Sequence, residues 1–297
     1  MSKSITAVTN GQIKQVKRFT EDAVDCVIRD GFLDKNRIQK LIENGGKFQT
    51  DIIALIKKYT LANRFANEEV ESSYGYPEGF EINSISEQVA ILQRLFPGIG
   101  FANEKIAERP LPKGAEGWFA IPRWQILAPT YGEAVRKVVV MNERIRKDEG
   151  YSHYKCSLPF GPEYLRQLQE TVQVFQKFGD TQKGYDILVV PANFGIRHRG
   201  RSVRRALEVM NANEVGLGTF AVGIMLLTNP KREVVEEQLH IKCAGDEFAP
   251  EGDGGFSEVP CFFFSGGIGI MFTTCWCVSA DRDYGSASAF LPLDLLK

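Results

Sequence analysis

The sequence has no long apolar run. Its longest, from about Phe220 to Leu227, is broken by Gly223 and falls far short of the roughly 20 residues that a membrane-crossing helix requires. The opening stretch, MSKSITAVTNGQIK, lacks the apolar centre of a secretory signal. Together these absences predict a soluble, cytoplasmic protein with no membrane partner. No C-x-x-C pair occurs among the six cysteines, Cys26, Cys156, Cys243, Cys261, Cys275 and Cys277, so reduced thiols are expected. Net charge is almost missing too, at a formal -1. That argues against non-specific nucleic-acid binding over the whole surface and leaves room for a local basic patch. Internal repeats and low-complexity tails are absent, as are the phosphate-binding patterns G-x-x-x-x-G-K-[ST] and G-x-G-x-x-G.

What is present reads as an ordinary globular chain of 297 residues, 43% hydrophobic and 25% charged, with enough length for a sizeable core. Residues 1–70 read as a helical segment. Ile13, Val16, Ala23, Val24 and Val27 recur at helical spacing, Ile38, Leu41 and Ile42 share a second face, and Thr50 is placed to cap a third helix. Residues 71–297 read as an α+β domain. Ser84-Ile85-Ser86-Glu87 and Thr130-Tyr131-Gly132-Glu133 are capping boxes that open helices. Pro162 begins a further helix with Leu165, Leu168, Val172 and Phe175 as its seam. Beyond residue 184, short apolar runs separated by glycine and proline predict strands at 185–191, 218–227, 237–243, 260–266, 268–278 and 286–293. Helices lead and strands follow, which predicts an α+β fold with the helical segment packed on a mixed sheet.

The densest feature is NFGIRHRGRSVRRALEVMNANE. Five arginines and a histidine fall within Arg197 to Arg205, with no acid between Asp186 and Glu208. Ser202 is a natural N-cap, and Val203, Ala206, Leu207 and Met210 give the helix behind it a buried face. Arginines at a helix N-terminus oppose its partial positive charge. An anion seated there reverses the sign, because exposed amides, glycine and guanidinium groups favour phosphate or carboxylate. The ligand set this predicts is Arg197, His198, Arg199, Gly200, Arg201, Ser202, Arg204 and Arg205. The anion is either external or one of the chain's own carboxylates. His198, among positive neighbours, is a candidate general base.

The loop CAGDEFAPEGDGG carries Asp246, Glu247, Glu251 and Asp253, candidates for a divalent cation or for partners of the arginines. A solvated acidic loop is the plainer reading, since the EF-hand spacing is absent. Cys275 and Cys277 share a face if their segment is a strand, so a zinc site is conceivable, with core thiols the plainer alternative. Tyr74, Tyr76, Phe80, Trp118, Phe119 and Trp124 can stack on bases or simply pack.

The stretches KGYDILVVPANFGIRHRGRSVRRALEVMNANEVGLGTFAVGIMLLTNP and EQLHIKCAGDEFAP resemble hypothetical proteins of bacteria with small genomes, over about residues 76 to 293. The resemblance implies a bacterial, cytoplasmic origin and assigns no catalytic residue. Three functions follow from the residues themselves. The first is binding of a phosphate-bearing partner, a nucleotide or RNA, at the arginine loop. The second is a metal-dependent phosphate-ester hydrolase or transferase joining that loop to the acidic one. The third is a structural or interaction protein, in one form a homo-oligomer, with the arginines in internal or interface ion pairs.

Overall fold

A computed structural model describes residues 10–60, 64–148, 156–232, 238–265 and 269–292. The chain divides into two compact units, Met1–Tyr59 and Thr60–Lys297. The first holds α1 (Asn10–Arg29), α2 (Lys35–Glu43) and nearly all of α3 (Gly45–Thr60). Asp34 caps α2 by accepting from the Arg37 amide at 2.8 Å. Helix α3 begins at Gly45, so Thr50 is not its cap. The Thr50 hydroxyl instead donates to the Gly46 carbonyl at 2.9 Å, inside the helix. None of the described side chains in residues 10–56 is buried.

The second unit contains α4 (Ile85–Leu95), β1 (Gly117–Pro122), α5 (Trp124–Leu127), α6 (Tyr131–Asp148), β2 (Leu165–Gln167), α7 (Gln169–Thr181) and β3 (Ile187–Asn193). After these come α8 (Val203–Val209), β4 (Glu214–Gly216), α9 (Thr219–Thr228), β5 (His240–Lys242), β6 (Asp246–Phe248), β7 (Glu258–Ser265), β8 (Gly269–Trp276), β9 (Tyr284–Ser286) and β10 (Ser288–Phe290). One sheet is antiparallel, in the order β1-β3-β10-β4. The other runs β2-β6-β7-β5-β9, with β8 hairpinned on β7, and is mixed because β5 and β9 are parallel. The fold is α+β. Every residue of β1 and β3 is buried, which explains why both read as continuous apolar runs rather than alternating ones.

Residues 218–227 are not a strand. They form α9, with all of Thr219–Thr228 buried. The helix packs against α6, β1 and α4. A helix covered on every side needs no polar face, so its sequence loses the 3.6-residue rhythm and looks like a buried strand. Similarly, the helix expected from Pro162 starts only at Gln169. Leu165–Gln167 is drawn into a ladder with β6, where Leu165 faces Phe248 and Gln167 faces Asp246.

The Ser84 capping box is complete. The Glu87 amide donates to Ser84 Oγ at 3.3 Å, and the Ser84 amide donates to Glu87 Oε2 at 2.8 Å. Cys261 and Cys275 are joined as a disulfide across β7 and β8, which corrects the expectation that all thiols are reduced. Among the described residues, no helix is long and apolar enough to cross a membrane.

Candidate functional site

The arginine segment follows β3. Gly195 and Gly200 carry positive φ of 113° and 73°, Ile196–His198 makes a short 3-10 turn, and α8 starts behind Ser202. The Ser202 cap forms as expected, its Oγ accepting from the Arg205 amide at 3.1 Å. Gly200 is there for backbone contact. The Val70 amide donates to its carbonyl at 2.8 Å, and a Cβ at this position would collide with the Val70 carbonyl. In the connector at residues 64–72, a turn at 64–67 leads into Glu68–Val70, which pairs with the segment like a strand, with Glu69 bridged to Arg201 and the Ser202 amide donating to the Glu68 carbonyl at 3.1 Å.

This connector delivers the anions. The Glu68 carboxylate accepts from Ser202 Oγ at 2.6 Å and from Arg204 Nε at 2.7 Å. It sits at the start of α8, where the electrostatics call for negative charge. Its hydrogen bond from Arg204 outweighs desolvation and holds its carboxyl below the usual range. Glu69 meets both Arg205 and Arg201, the latter at 3.2 Å. Arg205 also reaches Glu208 at 3.1 Å, and Glu208 in turn accepts from the amides of Arg64 and Phe65 at 3.1 and 3.3 Å. Burial pushes the Glu208 carboxyl up, but these amides and the Arg205 guanidinium more than offset it and bring it below its ordinary value.

Arg197 and His198 converge on Glu214 from the other side. Arg197 Nε lies 3.1 Å from Oε2 and His198 Nε2 lies 2.8 Å from Oε1. Ser288 Oγ adds a bond at 2.7 Å and the Asn211 amide one at 3.1 Å. Desolvation of the Glu214 carboxyl is overcome by the His198 bond and the other donors, and its pKa falls to about 2. Arg201 lies 3.3 Å from His198 Nδ1. A guanidinium only donates, so a close Arg201 contact asks Nδ1 to accept. Both ring nitrogens are thus engaged within a side chain that is 1% exposed. Arg199 is exposed and donates to a neutral group, the Tyr74 carbonyl, at 3.0 Å.

All eight residues predicted from the sequence therefore lie in one patch. The glutamates that complete it, Glu68, Glu69, Glu208 and Glu214, were missed. A usable signal exists for two of them. Glu68-Glu69 is an adjacent acidic pair in the connector and matches the adjacent pair Arg204-Arg205.

The four acids of the acidic loop have separate surroundings. Asp246 is 2% exposed in β6. It accepts from Tyr131 Oη at 2.8 and 2.9 Å and from the Thr219 amide at 2.6 Å, which caps α9. Burial raises its carboxyl to about 6. Glu247 pairs with Arg166 at 2.8 Å, whose guanidinium lies 3.6 Å from the centre of the Phe256 ring. Glu251 and Asp253 are exposed. Among the described residues, no three His, Cys, Asp or Glu side chains converge to hold a metal ion. Cys275 and Cys277 do share a face, with Trp276 exposed opposite them, but Cys275 is spent in the disulfide. Of the aromatics, Tyr76, Phe80 and Phe119 meet Phe194 edge to face at 5.2 to 6.3 Å, as packing residues do. No protein-family model, curated protein or solved structure matches the chain.

Proposed function

We propose that this is an interaction protein, acting by binding rather than by catalysis, in which the arginine segment is a clasp for the chain's own connector. What supports this reading is the seat of Glu68. A carboxylate from 134 residues away takes the N-cap hydroxyl and the first-turn arginine, the donors that an external phosphate would use. The clasp is tested with an Arg201→Ala, Arg204→Ala double variant. Its thermal midpoint is expected to fall, and proteolysis is expected to begin within residues 64–72. A variant with unchanged midpoint and protection ends the reading. In keeping with the sequence likeness, we place the protein in a bacterial cytoplasm.

A second reading, binding of a nucleotide or RNA, draws support from Arg199. It is exposed and faces a carbonyl rather than a carboxylate, and Arg197 beside it shares Glu214 with His198. If RNA is the partner, affinity for a short RNA oligomer falls steeply as salt rises and weakens on Arg199→Ala. Affinity that ignores salt excludes it. The metal-dependent hydrolase would need the acidic and arginine loops to grip one metal-bridged phosphate, and the partners of Asp246 and Glu247 give that reading no support.

A further inference from the structure

Among the described residues, two cavities of the second unit carry charge of both signs. One, beside α6, has Glu133 and Glu143 together with Arg136 and Arg144 on its wall. The other, beside α7, has Asp180 and Asp186 together with Arg123 and Lys183. A third, of about 620 Å³, differs from both. Its wall comes from the residues that lead into α4 and into β1, and Ala107 is added from a 3-10 turn at Glu104–Glu108. Tyr76, Phe80 and Trp118 supply three aromatic rings, and Glu81 and Glu116 supply carboxylates. No lysine or arginine is among its described lining residues.

Glu116 is the unusual member of this wall. Its Oε1 accepts from Tyr76 Oη at 2.6 Å and its Oε2 from the Phe194 amide at 3.1 Å. Burial raises its carboxyl above the ordinary glutamate value, against the lowering effect of those two bonds. Two other desolvated acids show the contrast. Glu214 meets the side chains of Arg197 and His198, and Asp246 is sealed in the interior. Glu116 instead faces a cavity, and its hydrogen-bond donors are a phenol and an amide. Arg232 is fully buried over the Tyr76 ring, 4.2 Å from its centre, and is not part of the cavity wall. Its single charge is opposed by two carboxylates.

We propose that this cavity binds a small organic ammonium ion, with the apolar body against the rings and the charged nitrogen at Glu116. A carboxylate already withdrawn from water attracts a cation through weakly screening surroundings. Its desolvation is completed by folding, before the ligand arrives, which favours binding. Aromatic faces add to the attraction for a cation, and the volume suits a small molecule. A phosphate or carboxylate ligand would meet like charge at Glu81 and Glu116. The inference goes beyond the clasp and uses none of its ion pairs.

Isothermal titration calorimetry of the full chain with phenethylammonium chloride is expected to give a dissociation constant of about 0.1–1 mM. Phenethyl alcohol keeps the ring and loses the charge, and hydrocinnamate reverses the charge. Both are expected to bind about tenfold more weakly or worse. Glu116→Gln is expected to weaken phenethylammonium about tenfold or more while the circular dichroism spectrum stays unchanged. Should that variant unfold, Leu111→Arg decides. Leu111 lines the cavity and is 43% exposed, so an arginine there spares the core and adds a like charge beside the ligand. Affinity is expected to fall about two- to fivefold. An absence of binding up to about 10 mM overturns the proposal. So does equal affinity for the alcohol, or an affinity that neither variant changes.

Discussion

Helices α8 and α9 each begin against a carboxylate sent from elsewhere in the chain, and the two carboxylates live in opposite surroundings. Asp246 meets α9 in the interior, where its donors are a phenol and an amide, and burial lifts it to about 6. Glu68 meets α8 beside an arginine nearer the surface, and the guanidinium bond lowers it. The local task is the same, satisfying amides and the dipole at a helix start. The sign of the pKa shift is set by what else is near: apolar walls in one case, permanent positive charge in the other.

The comparison can be broken from either end. The largest effect is expected in the walls of α9. Leu226 is fully buried, and Leu226→Ala is expected to cost about 2–5 kcal/mol in urea unfolding. A cost under 1 kcal/mol would mean that α9 is not packed as described. Next is the pH dependence of Asp246. Its folded pKa lies above the unfolded one, so its contribution is full below about pH 4 and is lost as pH rises through about 6. A shift of this size corresponds to about 3 kcal/mol. Asp246→Asn should flatten that window, and unfolding midpoints at successive pH values check it.

Glu68 has the opposite sign. Its pKa is depressed, so its contribution is present above the ordinary glutamate range and is lost as pH falls below it. Glu68→Gln is expected to cost about 1 kcal/mol near neutrality, and the cost should shrink in high salt, as exposed pairs do. A cost that ignores salt would place Glu68 in an interior environment like that of Asp246. The smallest effect is Arg199→Ala, within about 0.5 kcal/mol. A larger loss of stability would show that this arginine belongs to the clasp after all.

The same contrast explains what could be read from the sequence. The Ser84 box, the Ser202 cap and the β7–β8 hairpin are local, and each shows in consecutive residues. The α+β class follows from their order. Helix α9 was hidden because complete burial erases periodicity. The demand for an anion at α8 was legible, since arginines at a helix start are uncomfortable alone. The identity of the anion was not, because Glu68 lies far away in sequence and nothing in a linear reading pairs residue 68 with 204. Asp246 was noticed as one acid of four on a glycine-rich loop. Its separate fate came from the β2–β6 ladder, which draws it inside while leaving Glu251 and Asp253 in water.

The first sheet carries a further consequence. Its order is β1-β3-β10-β4, so the strand that joins β3 to β4 is the last of the described strands to be made. While the chain emerges from a ribosome, Asn193 and Ala192 lack their partners at Ser288 and Ala289, and Val215 and Gly216 lack theirs. Two sticky sheet edges therefore stay open until Ser288–Phe290 is made. A protein interrupted before residue 288 would carry both edges into the cell unpaired, and quality control would meet it as an aggregation-prone fragment rather than as a shortened but working molecule.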